Sequence, residues 1–275
     1  MNSFHLTWAT QGRQPAFPRE EARRGLLRAI ASVAGRDIAL FAIVDDHVHI
    51  VVIVDPPRLR RVQAALSKLL NHRTAAPFSP PYVRPVTTRT HMASLVRYCL
   101  TQSAHHGLPD DPAIATGSCF PDLIGARRLP GLTLRVTTAL PRFRLRDAYE
   151  AVGLASPLSP AGDAELRALG GTRLAELVSA TLCTGPGFAG NHADVVRGRR
   201  VAAHLAQAVG LRPRDLALPL GITETAAARL SSRSVEKADL GAVRVRVALE
   251  GAVATRGRVA LTVRGSPLAH YDAFA

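Results

Sequence analysis

The chain has 275 residues, 47% hydrophobic and 20% charged, which excludes general disorder. That length holds a core without metal or disulfide staples, in two domains or in one with a long appendage. Its 35 Lys and Arg outnumber 21 Asp and Glu for a formal +14, a surplus that favours a polyanionic partner: nucleic acid, anionic membrane or acidic protein.

Phe4–Thr10 alternates apolar and polar residues as a half-buried strand does. A helix is expected from Pro18, with Glu20 and Glu21 in its first turn, Leu26, Leu27 and Ile30 on one face, and Gly35 at its end. The apolar runs Ile38–Val44 and His47–Val54 flank the turn-like Asp45-Asp46 and read as a hairpin. Pro56-Pro57 breaks the strand, and Arg58–Leu70 carries a helical stripe of Leu59, Val62, Leu66 and Leu69. Residues 77–86 hold four prolines and read as loop plus edge strand. Thr90–His106 is the next helix, closed by Gly107 and Pro109. The order β-α-β-β-α-β-α predicts an α+β domain, an antiparallel sheet with helices on one face.

Residues 121–146 are mixed, and LTLRVTTAL within them fits helix or strand. Residues 151–162 (AVGLASPLSPAG) read as a linker. Helices are expected over Asp163–Leu177, Val195–Val209, Pro213–Leu220 and Thr223–Leu230, while 235–265 shows no clear period. The expected division is a first domain over 1–130, a connecting segment over 131–162 and a small all-α domain over 163–275.

His47 and His49 lie two apart in an apolar run, so on a strand they share one face and can chelate one divalent cation. The pair also fits two polar residues on a solvent-facing strand. On the 90–106 helix, Met92, Leu95, Val96 and Cys99 form an apolar stripe, and His91, Ser94, Tyr98, Gln102 and His105 a polar one. Tyr98 and Gln102 therefore project together, a nucleophilic oxygen beside a neutral oxygen ligand. A tyrosine bridging core and water fits the same pattern. His105 and His106 could bind phosphate, shuttle protons or cap the helix; Gly107 favours capping.

Four pieces in order, FHLTWATQGRQPAF, FAIVDDHVHIVVIV, RYCLTQSAHHGL and GSCFPDLIG (117–125), resemble the single-tyrosine HUH transposases over residues 1–130. The resemblance is to the REP-associated tyrosine transposases and their relatives from insertion sequences that move as single strands. It implies a ferredoxin-like fold in which His47, His49 and Gln102 hold Mg²⁺ or Mn²⁺ and Tyr98 is the nucleophile. The implied reaction cleaves and transfers single-stranded, hairpin-forming DNA through a 5′-phosphotyrosine. Many REP-associated members carry Asn where Gln102 stands, insertion-sequence relatives Gln, and the family's Asn-Pro is Gln102-Ser103 here. The alternative is a catalytically idle DNA-binding regulator on the same fold. No GxxxxGK[ST] signature of an ATP user occurs.

Arg13, Arg58, Arg61, Arg89 and Arg97 are candidates for the DNA-backbone path, and Trp8 and Tyr82 for base stacking as well as for core roles. Residues 212–233 (RPRDLALPLGITETAAARLSSR) resemble a helix-turn-helix akin to that of the replication initiator DnaA, which would turn Thr223, Thr225 and Arg229 to duplex DNA. Pro219 departs from that pattern by removing a backbone donor.

The first 150 residues carry 20 basic and 11 acidic side chains and the rest 15 and 10, so the surplus is +9 and +5. Only Lys68 and Lys237 are lysines, a bias that GC-rich coding also produces. Cys99, Cys119 and Cys183 form no CxxC pair, which fits a reducing compartment. MNSFHLTWATQGR lacks the basic start and apolar run of a signal peptide. A soluble cytoplasmic, nucleoid-associated protein without membrane contact is expected, as monomer or homodimer.

Overall fold

The computed structural model describes residues 2–74, 76–155, 157–185 and 188–256; the end of the aperiodic stretch, 257–265, lies outside them. Two units are present: one takes in residues 2–123 and 130–157 with Arg256, the other 124–129 and 158–255. Among the described residues no helix is long and apolar enough to cross a membrane.

The first unit begins β1 (Asn2–Ala9), α1 (Glu20–Ala34), β2 (Ile38–Ile43), β3 (His47–Val54), α2 (Pro56–Arg73), β4 (Tyr82–Val86) and α3 (Arg89–His105). This is the order read from the sequence. The four strands form one antiparallel sheet, β2-β3-β1-β4, so the unit is α+β. β4 sits at the edge, where Pro85 interrupts no central ladder. Asp55 caps α2 by accepting the Arg58 N–H (2.7 Å), with Pro56 and Pro57 where helix N–H groups have no intrahelical acceptor.

The expectation of helices on one face needs correction. Trp8 Nε1 donates to Ser67 Oγ of α2 (2.9 Å), so Leu6, Trp8, Val48 and Ile50 point toward α2, beside which α1 packs. Tyr98 of α3 meets His49 on the opposite face. With both faces covered, every residue of β2 and β3 is buried. That is why both runs are almost continuously apolar instead of alternating.

Beyond α3 the chain returns to the sheet. The Ile43 N–H donates to the Gly117 carbonyl (2.9 Å) and Ser118 bridges to Ala42. A Cβ at position 117 would lie 1.9 Å from the Ile43 oxygen, so only glycine permits this approach. Cys119 and Phe120 are then fully buried at the start of α4 (Phe120–Leu123).

Residues 131–157, read as a connecting segment and part of a linker, fold with the first unit. They include α5 (Val136–Ala139) and α6 (Leu145–Ala151), with Val136, Tyr149 and Val152 buried. Residues 124–129 group with the second unit, where the Arg128 N–H donates to Thr181 O (2.8 Å).

The second unit holds α7 (Asp163–Leu182), α8 (Ala193–Ala208), α9 (Pro213–Ala217), α10 (Glu224–Ser231) and α11 (Lys237–Arg256, its last residue apart). Leu166, Leu174, Val178, Val201, Leu205, Leu216, Leu220 and Val243 form its core. α9 stops short of Pro219, whose ring cannot extend it.

α11 was not expected, and its buried face explains why. That face carries Asp239 and Arg246 among Ala242, Val243, Val247 and Leu249. Asp239 is 1% exposed and accepts from Arg197 Nε (2.7 Å) and Arg128 Nε (3.4 Å). Arg246 Nε donates to Glu250 Oε1 (2.8 Å). Charges paired inside the core erase the apolar period that marks a helix in sequence. Asp239→Ala leaves Arg197 without the buried carboxylate it pairs with and should cost the helical unit about 3 kcal/mol, read as a lower midpoint in urea unfolding followed by circular dichroism.

Candidate active site

β3 and α3 bring His47, His49 and Tyr98 together, with Gln102 one turn beyond Tyr98 on α3. His47 and His49 are fully buried, and Tyr98 and Gln102 nearly so. The reading of the histidine pair as polar residues on a solvent-facing strand is thereby excluded.

The two imidazoles are held in the same manner, each by its Nδ1. For His47, Nδ1 donates to Asp46 Oδ1 (2.6 Å), and Arg13 closes the group with Nε 3.5 Å from Asp46 Oδ2. For His49, Nδ1 lies 3.0 Å from Thr7 Oγ1 and 3.1 Å from His5 Nε2. A histidine tethered at one nitrogen presents the other to whatever fills the site. Nε2 of His49 accepts from the Tyr98 hydroxyl (3.2 Å). Nε2 of His47 is buried with no hydrogen-bond partner, as are both amide atoms of the Gln102 side chain.

Helix α3 ends so as to add a further imidazole. The Gly107 N–H donates to Ala104 O (3.1 Å) and the Leu108 N–H to Ser103 O (2.8 Å), with Gly107 at φ +63°. That paired closure fixes His106 at the helix end, where its ring lies 4.6 Å from that of His47. His106 thus occupies the cap position favoured from sequence, yet its side chain belongs to the site. Asp46, His47 and His106 each offer a ligand atom within 4.8 Å of the others. His105, by contrast, is exposed.

Burial sets the charge of the cluster. It drives His49 well below the ordinary histidine range, helped by the charges of His47 and His5. Burial also pulls His5 down to about 3, with His91 and Arg84 adding to it. Burial works against the Asp46 carboxylate, but the hydrogen bond and charge of His47 outweigh it and keep its pKa below the usual value. The His5 and His49 rings are therefore neutral at neutral pH. Buried imidazoles with an amide oxygen and a carboxylate are a donor set suited to a divalent cation with mixed nitrogen and oxygen preference.

The arginines expected along a DNA path separate into two groups. Arg13 adjoins His47, in a left-handed backbone conformation (φ +57°). Arg89 and Arg97 are exposed on α3. Arg58 and Arg61 lie on α2, across the sheet from the histidines, and Arg58 pairs with Asp37 (2.7 Å). They are not brought to the site, because α2 and α3 cover opposite faces. Trp8 is a core residue with no exposure, whereas Tyr82 is 46% exposed.

Sequence reasoning missed His5, Thr7 and Asp46, and favoured a capping role for His106. Alternation along β1 places His5 and Thr7 on one face, and that signal was present in FHLTWA. In the second unit Thr223 caps α10 by accepting from the Ala226 N–H (3.2 Å), and Thr225 and Arg229 are exposed. With Arg199, Arg200 and Arg233 these three residues line a groove of about 500 Å³. Comparisons with family models, curated proteins and solved structures return no match to this chain.

Two predictions follow from the buried imidazoles. Below pH 6.5 the unfolded chain protonates His5 while the folded chain does not until about pH 3, so stability falls as pH drops through that window. Between pH 6.5 and 5 the loss should be about 2 kcal/mol for His5 alone, and His5→Gln should flatten the slope in urea titrations at each pH. Mn²⁺ should raise the thermal midpoint of the protein, and His47→Ala should abolish that rise.

Proposed function

We propose that this protein is a metal-dependent, single-tyrosine DNA strand-transferase acting on single-stranded DNA, with Tyr98 as nucleophile. The observation that carries the reading is the pair of Nδ1 tethers, which leave His47 Nε2, His49 Nε2 and Gln102 Oε1 as donors beside the Tyr98 hydroxyl. The strand order and the β-α-β-β-α-β connection support a ferredoxin-like sheet of the HUH type. His47, His49 and Gln102 would hold Mg²⁺ or Mn²⁺, with Asp46 orienting His47 and His106 close by. A bound cation supplies Lewis-acid polarisation of the scissile phosphate.

The chain's own residues do the rest. The Tyr98 hydroxyl, within hydrogen-bond distance of His49 Nε2, is the group that attacks in line. The Tyr98 oxygen forms a bond to phosphorus as the bond from phosphorus to the 3′ oxygen breaks. The phenolic proton ends on the departing 3′ oxygen. One phosphodiester is exchanged for another, so a 3′-hydroxyl of a second strand can reverse the step without external energy. Burial at the site keeps water, the competing nucleophile, away from the phosphotyrosine. Arg13, beside His47, is suited to the phosphate charge.

A second reading, a DNA-binding regulator without cleavage, is favoured by the arginine-lined groove between α8 and α10. That groove suits phosphates of duplex DNA and does not depend on Tyr98. The two readings part in one experiment: incubation with single-stranded DNA carrying short imperfect palindromes and Mg²⁺ or Mn²⁺. Strand transfer predicts a denaturation-resistant protein–DNA adduct that Tyr98→Phe abolishes while DNA binding persists. Binding of the palindromic strand with no adduct under either metal would leave the regulator.

A further inference from the structure

We infer that the cleft where the end of β1 and the start of β4 meet segments 10–13 and 79–80 is a nucleotide subsite, in which Tyr82 stacks on an unpaired base adjacent to the phosphate that Tyr98 attacks. This rests on the strand-transfer reading and names part of its substrate contact.

The cleft has a volume of about 260 Å³ and is lined by Thr7, Thr10, Gln11, Arg13, Ser79 and Tyr82, among others. That is room for one nucleotide and not for a duplex. Its position follows from strand register. Thr7 pairs with His49 on one side and with Tyr82 on the other. His49, Thr7 and Tyr82 therefore form one row across the sheet with side chains on the same face. Adjacent strands lie about 4.8 Å apart, which puts Tyr82 roughly 10 Å from His49, about the reach from a phosphate to its neighbouring base. Thr7 is also the residue that tethers His49, so the cleft wall and the histidine pair are one structure.

Chemistry at the two ends of the cleft is complementary to a nucleotide. Arg13 stands at the histidine end, paired with Asp46 and beside His47. Tyr82 stands at the other end on an edge strand, 46% exposed, while Trp8 and Phe78 nearby are buried. Besides Tyr82, the exposed large hydrophobic residues among those described are Leu145 and Leu218, neither of which lines the cleft. A partly exposed aromatic ring in one cleft with an arginine matches the way single strands are held, by stacking that tolerates any base.

The test measures binding without cleavage, in full-length protein carrying Tyr98→Phe. Its probes are fluorescent oligothymidylate and the same oligomer made wholly of abasic residues. Tyr82→Ala should weaken oligothymidylate binding about 10-fold and leave abasic binding unchanged, and Tyr82→Phe should restore the loss. Arg13→Ala should weaken both probes alike. Equal affinity of the Tyr82→Ala and parent proteins for oligothymidylate would overturn the subsite and leave strand transfer standing. Equal weakening toward both probes would overturn it too, since that marks a structural role. Failure of the parent to bind either probe, with no adduct formed by the Tyr98-containing protein, would remove both readings.

Discussion

The site depends on one constraint: two imidazoles, with no exposure to water, must be satisfied inside a sheet. β3 is covered on both faces, so each histidine needs a partner for its Nδ1 or it costs the fold about 1–3 kcal/mol. Asp46, at the hairpin turn, serves His47, and Thr7 and His5 of the neighbouring strand serve His49. Those partners are supplied by register alone. The turn places Asp46 next to His47 in sequence, and antiparallel pairing sets Thr7 opposite His49. Once Nδ1 is engaged, the ring orientation is fixed and Nε2 has one direction to face, toward α3. The position of that helix is then not free, because Tyr98 and Gln102 must fill the space over the rings.

Much of this was legible because it depends on short-range geometry. A two-residue spacing on a strand and a four-residue spacing on a helix each fix a shared face, and both held for His47 with His49 and Tyr98 with Gln102. The element order of the first unit was equally readable, since its apolar runs are broken by proline, glycine and paired aspartates at each turn. What remained hidden depends on contacts between distant segments. His5 and Thr7 matter through their register against β3, which no local pattern specifies. His106 reads as a helix cap because it is one; that its ring also reaches His47 follows only from where α3 crosses the sheet.

The helical unit shows the same limit from the other side. α11 carries Asp239 and Arg246 on its buried face, and a sequence window averages those charges against their apolar neighbours. Arg197 and Arg128, which make Asp239 tolerable, come from 42 and 111 positions away. Similarly, 131–157 read as a connector because its helices are four and seven residues long. Their stability comes from packing, not from propensity. Arg58 and Arg61 were grouped with the site because they follow β3 closely in sequence, but a helix that crosses back over one face carries them away from the other.

The buried amide of Gln102 brings these strands of reasoning to one point. A glutamine side chain offers two donors and two acceptor sites, and here both its oxygen and its nitrogen are buried without a partner. Leucine at this position would fill similar volume without that penalty, and the helix would lose nothing in propensity. The penalty falls together with a second one, the unpartnered Nε2 of His47. Two such losses in one buried unit are hard to reconcile with a purely structural role, since each could be relieved by a single substitution. A ligand that accepts lone pairs from an imidazole nitrogen and an amide oxygen relieves both together. His49, whose Nε2 lies 3.2 Å from the Tyr98 hydroxyl, packs its ring against that of His47, so the tyrosine belongs to the same buried group.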